Sequence, residues 1–289
     1  NKRGLKSMSN SDYILKQCGA CLGATITNIN LTQELSKQVT ESLVAALDTH
    51  QVIFFPEQDL TPAQQKEATK MFGPLRPSES FFDRLDDDPD IEIVINDEET
   101  PPTGTAKWHA DLTWAKEPPA GTSLYSRKIP QGKGDTIWVS MIAVYDSLSE
   151  RMKKYLDGLS AIHSWDMGLG GRQGILKKGV EHYMKHKNAN PPIAQPLVRT
   201  HPRNGRKLIY VNPGFTSHIV NIPRKESDGI LNFLYGLTPR PEFQLRHKWD
   251  IGTLAVWDNT STQHAAVDDF FPLYRELTRV TFGGHGEPK

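Results

Sequence analysis

The apolar residues of this chain fall in short runs, each closed by proline, glycine, asparagine or aspartate, and this punctuation excludes most architectures. Gln51 to Phe55 is nearly all apolar and stops at Pro56, the pattern of a central strand. Ile91 to Ile95, Asp135 to Val139, Phe243 to Trp249, Thr253 to Trp257 and Arg275 to Phe282 read as further strands, with another near 22 to 30. Leu197 to Thr200 and Lys207 to Val211 flank Arg203-Asn204-Gly205, the strongest hairpin signal in the chain. The segments 243–249 and 253–257 read as a second hairpin, two strands joined through Asp250-Ile251-Gly252. Helices are fewer. Leu35, Val39, Leu43 and Leu47 predict an amphipathic helix starting near Thr32, and Thr61-Pro62-Ala63-Gln64 carries a capping box with proline at the first helical position. Two more helices are expected, through Tyr145 to Tyr155 and from Lys225 to Tyr235. Strands and helices do not alternate at βα spacing. The expected class is therefore mainly β with flanking helices, an antiparallel sheet closed as a barrel or jelly roll.

No repeat or linker divides residues 1–289, so one domain is expected, with 1–10 a flexible N-terminal segment. Trp165 to Pro192 is poorly patterned and holds Gly168, Gly170, Gly171 and Gly174. A long unpatterned stretch is commonly functional, which makes 166–190 a candidate lid. Asn96 to Ala106 is a second polar loop.

Basic and acidic residues balance at 34 each, leaving no global field to attract nucleic acid or a membrane surface. A small-molecule partner is the default. No apolar run approaches the ~20 residues of a membrane span. Sparse cysteine fits a reducing cytoplasm. Cys18-Gly19-Ala20-Cys21 has redox-pair or half-zinc-site spacing, but no second pair exists and small buried side chains are the expectation. Asp86-Asp87-Asp88-Pro89-Asp90 lacks the closing glutamate of a calcium loop and reads as a solvated turn. His182 and His186 stand four apart without an intervening glutamate, as surface histidines do.

The chemistry concentrates in Lys107-Trp108-His109-Ala110-Asp111-Leu112-Thr113. In an extended segment alternate side chains share a face, so His109 and Asp111 can address one point. The best third member is His264, in Thr262-Gln263-His264. Two histidines and a carboxylate with open positions opposite suit non-heme Fe(II). Arg275 and Arg279 are separated evenly on one strand and face the same side, with Leu277 between them as a floor. Guanidinium groups there would grip anions. Zinc on the same ligands in a hydrolase, and a non-catalytic β-barrel binding protein, remain alternatives from other classes.

Trp108-His109-x-Asp111-x-Thr113 with Pro118-Pro119-Ala120, Gly134-Asp135-Thr136-x-Trp138, Asn212-x-Gly214-Phe215-Thr216, Trp257-Asp258-Asn259 and Thr262-Gln263-His264 resemble the taurine dioxygenase family, from about Leu22 to Gly284. The resemblance implies a double-stranded β-helix, Fe(II) as metal, 2-oxoglutarate as cosubstrate and O2 as oxidant. It implies that His109, Asp111 and His264 hold iron and that Thr136 and Arg275 hold the distal carboxylate of 2-oxoglutarate. Arg279 would take the acidic group of the prime substrate, with Phe215, Thr105 and Leu112 as further substrate contacts. The implied reaction hydroxylates a small organic anion, first a taurine-like sulfonate losing sulfite to give an aldehyde, otherwise an alkyl sulfate ester or an aryloxyalkanoate. A homo-oligomer, dimer or tetramer, is implied as well. Taurine-specific members carry a histidine and an asparagine where this chain has a residue near Asp83 and Thr105, which removes donors for a small sulfonate. Phe81, Phe82 and Trp114 offer an apolar lining in their place.

Overall fold

A computed structural model describes residues 13–76, 82–102, 105–167 and 172–289. The expected flexible segment 1–10, Phe81, Gly168, Gly170 and Gly171 lie outside them. The chain opens with β1 (Ile14–Gln17), β2 (Ala24–Thr27), α1 (Lys37–His50), β3 (Val52–Phe55) and α2 (Pro62–Lys70). β4 (Asp83–Leu85) and β5 (Asp88–Asn96) lead to β6 (Gly121–Lys128), β7 (Thr136–Ser140), α3 (Met141–Asp146), α4 (Glu150–Leu156) and β8 (Ser160–His163). Then come α5 (Arg172–Ala189), β9 (Ile193–Pro196), β10 (Val198–Thr200), β11 (Lys207–Ile209), β12 (Thr216–Ile219) and α6 (Arg224–Tyr235). β13 (Gln244–His247), β14 (Leu254–Asp258), β15 (Thr262–Ala266) and β16 (Arg275–Phe282) complete the set.

The main sheet has eight strands in the order β1-β2-β3-β14-β6-β16-β5-β4, antiparallel except for the β2–β3 pair. β3 lies inside it, as an apolar run stopped by proline predicts. Its alternate side chains serve two cores. Ile53 and Phe55 pack with Val39, Leu43 and Leu47 of α1 and Ala68 of α2. Val52 and Phe54 face the other way, joining Trp138 of β7 and Leu245 of β13 with Val94, Leu124, Trp257 and Leu277. A small sheet, β13-β7-β15, therefore lies against the inner face of the large one, as expected of a jelly roll. A third apolar cluster joins α3, α4 and α6 to β10 and β11.

Local sequence accounts for several boundaries. The Thr61 hydroxyl accepts from Gln64 N–H while the Gln64 side chain accepts from Thr61 N–H, closing the predicted capping box of α2. β10 and β11 pair across the turn holding Gly205, whose φ of 71° needs a residue without Cβ strain. Four expectations are corrected. α1 starts at Lys37 because Ser36 Oγ accepts from Val39 N–H, whereas Asn30 Oδ1 ties Thr32 N–H into a turn. The segments 243–249 and 253–257 form no hairpin, since β13 pairs with β7 and β14 with β3 and β6, so the intervening turn carries the chain between sheets. The unpatterned stretch contains helix α5, broken at Gly179 with φ 81°. Cys18 is exposed rather than buried. His182 and His186 lie ring against ring, and His186 stacks on buried Trp165. Among the described residues no helix is long and apolar enough to cross a membrane.

Thr61→Ala removes the α2 cap and is expected to cost about 1 kcal/mol of stability, read as a lower urea midpoint with unchanged slope.

Candidate active site

Two segments far apart in the chain meet through their main chains. His109 N–H donates to His264 O at 3.1 Å and His264 N–H donates back to His109 O at 2.8 Å. Residues opposed in this way send their side chains to one face, and the two imidazole centroids lie 4.3 Å apart. Asp111 completes the group, its Oδ1 lying 3.8 Å from His109 Nε2 and 4.0 Å from His264 Nε2. The three predicted ligands thus converge with separations that one metal ion can span.

Convergence does not come from a continuous strand, as the sequence implied. His109 forms an isolated bridge, and the chain turns at Asp111 with Leu112 at φ 50°, a left-handed conformation costly for a branched side chain. Asn259 holds that turn. Its Oδ1 accepts from Asp111 N–H at 2.7 Å, and its Nδ2 donates to Asp111 O at 2.9 Å and Pro119 O at 3.2 Å. Gly214 lets the Asn212 loop pass close by, because a Cβ there would stand 2.8 Å from the Cβ of His109. From that loop Asn212 Nδ2 donates to Thr113 Oγ1, which also meets His163 Nδ1 at 2.8 Å. Burial pushes His163 down to about 3, so it is neutral.

The ligand atoms are prepared for a cation. His109 Nδ1 lies 2.7 Å from Lys107 O, and a carbonyl only accepts, so Nδ1 carries the hydrogen and Nε2 presents its lone pair. Burial, reinforced by neighbouring His109, pushes His264 down to about 3 and keeps it neutral. Burial works to raise the Asp111 carboxyl, but Arg279 and both imidazoles outweigh it and hold the group well below the usual carboxylate range. Thr122 Oγ1 donates to Asp111 Oδ2 at 3.2 Å and Arg279 Nη2 lies 2.9 Å from the same oxygen.

A cavity of about 90 Å³ opens beside the triad, lined in part by Thr105, Leu112, Thr136, Phe215, Arg275 and Arg279. All nine predicted site residues meet there. Phe82 joins the lining, whereas Trp114 packs behind it with Trp165 and Asp83 is exposed on β4. Leu277 is buried beneath, between the two sheets. Arg275 is 4% exposed; among the described residues its Nη2 donates to Gly134 O at 3.2 Å, and its buried Nε has no partner. Burial lowers it to about 10, so the guanidinium stays charged in an apolar setting. Trp249 Nε1 donates to Thr136 Oγ1 at 3.0 Å, leaving the Thr136 hydrogen to serve an acceptor in the cavity. A buried cation short of acceptors beside a hydroxyl donor fits a carboxylate. Arg279 differs. Its Nη1 pairs with Glu92 Oε2, and these carboxylates overcome burial to raise the guanidinium further. Glu92 was missed because it sits inside an apolar strand, and nothing local tells which residue stands opposite.

A second buried group, His201, Asp258 and His285, has another character. His201 Nε2 donates to Asp258 Oδ2 at 2.5 Å, and its Nδ1 accepts from Arg203 and Asn204 N–H. Both ring nitrogens are committed, which makes the group a hydrogen-bonded corner.

The model of the taurine catabolism dioxygenase TauD, TfdA family matches residues 14–281, and the chain belongs to that family. A putative alpha-ketoglutarate-dependent sulfonate dioxygenase of Schizosaccharomyces pombe is 31% identical over 97% of this chain and 71% of its own. An alkylsulfatase of Acinetobacter baylyi is 29% identical over 93% and 84%. The crystal structure of a putative alpha-ketoglutarate-dependent taurine dioxygenase from Burkholderia xenovorans superposes with a TM-score of 0.81 at 32% identity, covering 96% of this chain and 91% of that one.

Asn259→Ala leaves the turn at Asp111 without its clamp, so metal affinity should fall about 10- to 100-fold in a titration of the apoprotein. A pH effect follows from His163. The unfolded chain takes up a proton below about 6.5 and the folded chain only near 3, so stability is full above that range and falls as pH drops through it. The expected loss is about 1.4 kcal/mol per pH unit from this residue, and His163→Gln should flatten the dependence by that amount in urea titrations at pH 5 and 7.

Proposed function

We propose that this chain is an Fe(II)- and 2-oxoglutarate-dependent dioxygenase that hydroxylates a C–H bond of a small organic molecule held beside His109, Asp111 and His264. The observation that carries this reading is the buried, under-partnered Arg275 guanidinium on the cavity wall beside the triad. A hydrolase using zinc on the same three ligands has no use for it.

In this reading the two Nε2 lone pairs and the Asp111 carboxylate hold the metal. Arg275 and Thr136 hold the distal carboxylate of the cosubstrate, offsetting the cost of burying that charge. Iron(II) with 2-oxoglutarate supplies oxygen activation and hydroxyl transfer, with release of succinate and carbon dioxide. The protein's part is positional. Asn259 and Gly214 fix the ligands, while Leu112, Phe215 and Trp257 exclude water and confine the substrate. Helix α5, whose Tyr183 packs against the cluster of Leu112 and Phe215, would serve as the lid of the cavity. Sulfonates, alkyl sulfate esters and aryloxyalkanoates form the first substrate panel. Each loses its group once the adjoining carbon is hydroxylated, as sulfite, sulfate or a phenol. A homo-oligomeric protein of the cytoplasm completes the reading.

Anaerobic addition of Fe(II) and 2-oxoglutarate should produce a visible charge-transfer band; a colourless mixture with tightly retained zinc favours the hydrolase. His109→Ala and Asp111→Ala should each abolish substrate-dependent succinate formation. Arg275→Ala should raise the 2-oxoglutarate requirement by about 30-fold or more, the factor for truncating one side of a buried charge pair.

A further inference from the structure

Asp166 joins two parts of the molecule that the chain keeps apart. It lies in the short turn Trp165–Met167 that follows β8, and its carboxylate collects three donors. Ser164 Oγ donates to Oδ1 from beside it. From helix α5, Lys187 Nζ stands 2.9 Å from Oδ2, and Tyr183 OH donates to the same oxygen at 3.3 Å. Tyr183, His186 and Lys187 are three and four residues apart and share one face of the helix. That face also meets the Trp165 ring, with centroids 5.8 Å away for Tyr183 and 5.7 Å for His186.

The same turn reaches the cavity. Ser164 N–H donates to Phe215 O at 2.9 Å, one step beyond the pair of His163 with Thr216 that joins β8 to β12. Phe215 lines the cavity, and its ring meets that of His109 edge to face at 6.4 Å. Trp165 is buried and packs with Leu112, Trp114 and Phe215. Asp166 is therefore bonded outward to α5 and, through Ser164, inward to the wall of the cavity. The hydroxyl and the peptide N–H of Ser164 serve the two directions at once.

We propose that Asp166 is a positioning residue that couples α5 to the Phe215 wall, so that helix and wall hold their places together. This rests on the dioxygenase reading above, in which Phe215 and Leu112 confine the prime substrate. A carboxylate suits the task because one oxygen takes the neighbouring hydroxyl while the other takes both groups of the helix. Packing of Trp165 against Tyr183 and His186 sets the distance of the helix, and the directional bonds to Asp166 set its register.

Hydrogen exchange, read peptide by peptide on the full chain, tests the coupling in wild type, D166N, K187M and K187R. Removing the Lys187 ammonium should raise exchange about 3- to 5-fold in residues 180–190 and also in 214–219, the factor for a partly exposed ion pair. D166N should act in the same direction on the same two segments. K187R keeps the cation and should stay within ~2-fold of wild type. The control is β3, which should not change. A rise in α5 alone, or in neither segment, overturns the coupling, as does a K187M rise that extends to β3 or a K187R that exchanges like K187M. Lys187 is half-exposed, so its variants decide the matter even if D166N fails to fold. Calorimetry on Mn(II)-loaded protein supplies the second readout. K187M should bind 2-oxoglutarate within ~2-fold of wild type, because Arg275 and Thr136 stand on β16 and β7; a larger loss overturns the assignment of the coupling to the substrate wall. Failure of wild type to bind 2-oxoglutarate overturns the dioxygenase reading, whereas the exchange pattern still decides the coupling.

Discussion

A pair of main-chain hydrogen bonds between His109 and His264 is the constraint on which the site depends. His264 lies within β15, paired with β7, whereas His109 belongs to no strand, yet the exchange of two N–H groups fixes both imidazoles on one face at one height. Everything else serves that pairing. Asn259 stabilises the left-handed turn after Asp111, so the third ligand returns to the same point, and Gly214 leaves space beneath His109. Thr113 is held in turn by Asn212 and His163, whose neutrality in the folded state removes a buried charge from the vicinity. The metal ligands are thus oriented by hydrogen bonds to peptide groups, which are more directional than packing.

The two arginines of β16 show how environment separates identical side chains. Both are buried and face one cavity, four residues apart. Arg275 has no carboxylate in hydrogen-bonding contact among the described residues and loses affinity for its proton through burial. Arg279 has two carboxylates and gains affinity despite equal burial. The first is arranged to recruit an anion from solution. The second is already supplied, and this asymmetry gives the site two distinct electrostatic halves.

These side chains hold their places because the sheets behind them are packed on both faces. Trp138 and Trp257 meet edge to face at 5.7 Å between the sheets, and Trp257 also lies 4.9 Å from His264. The apolar core therefore reaches the metal site itself, fixing an imidazole ring as firmly as it fixes the strands. On the other face α1 and α2 cover Ile53 and Phe55, and this double cover explains why β3 is apolar at every position.

Much was legible in the residues alone, because local patterns report local physics. The Thr61 capping box, the hairpin around Asn204 and Gly205 and the common face of Arg275 and Arg279 are consequences of backbone periodicity and turn chemistry. The triad, the mainly β class and the family were accessible through spacing and motif. What the sequence left undecided is nonlocal. The start of α1 depended on which of two polar residues capped it, and the helicity of α5 lay beneath a glycine-interrupted pattern. The strands β13 and β14, neighbours in the chain, separated into different sheets because their pairing partners lay elsewhere. The same holds for Glu92: only the register between β5 and β16 sets it against Arg279, and register is fixed by the packing of whole sheets rather than by any residue's neighbours in sequence.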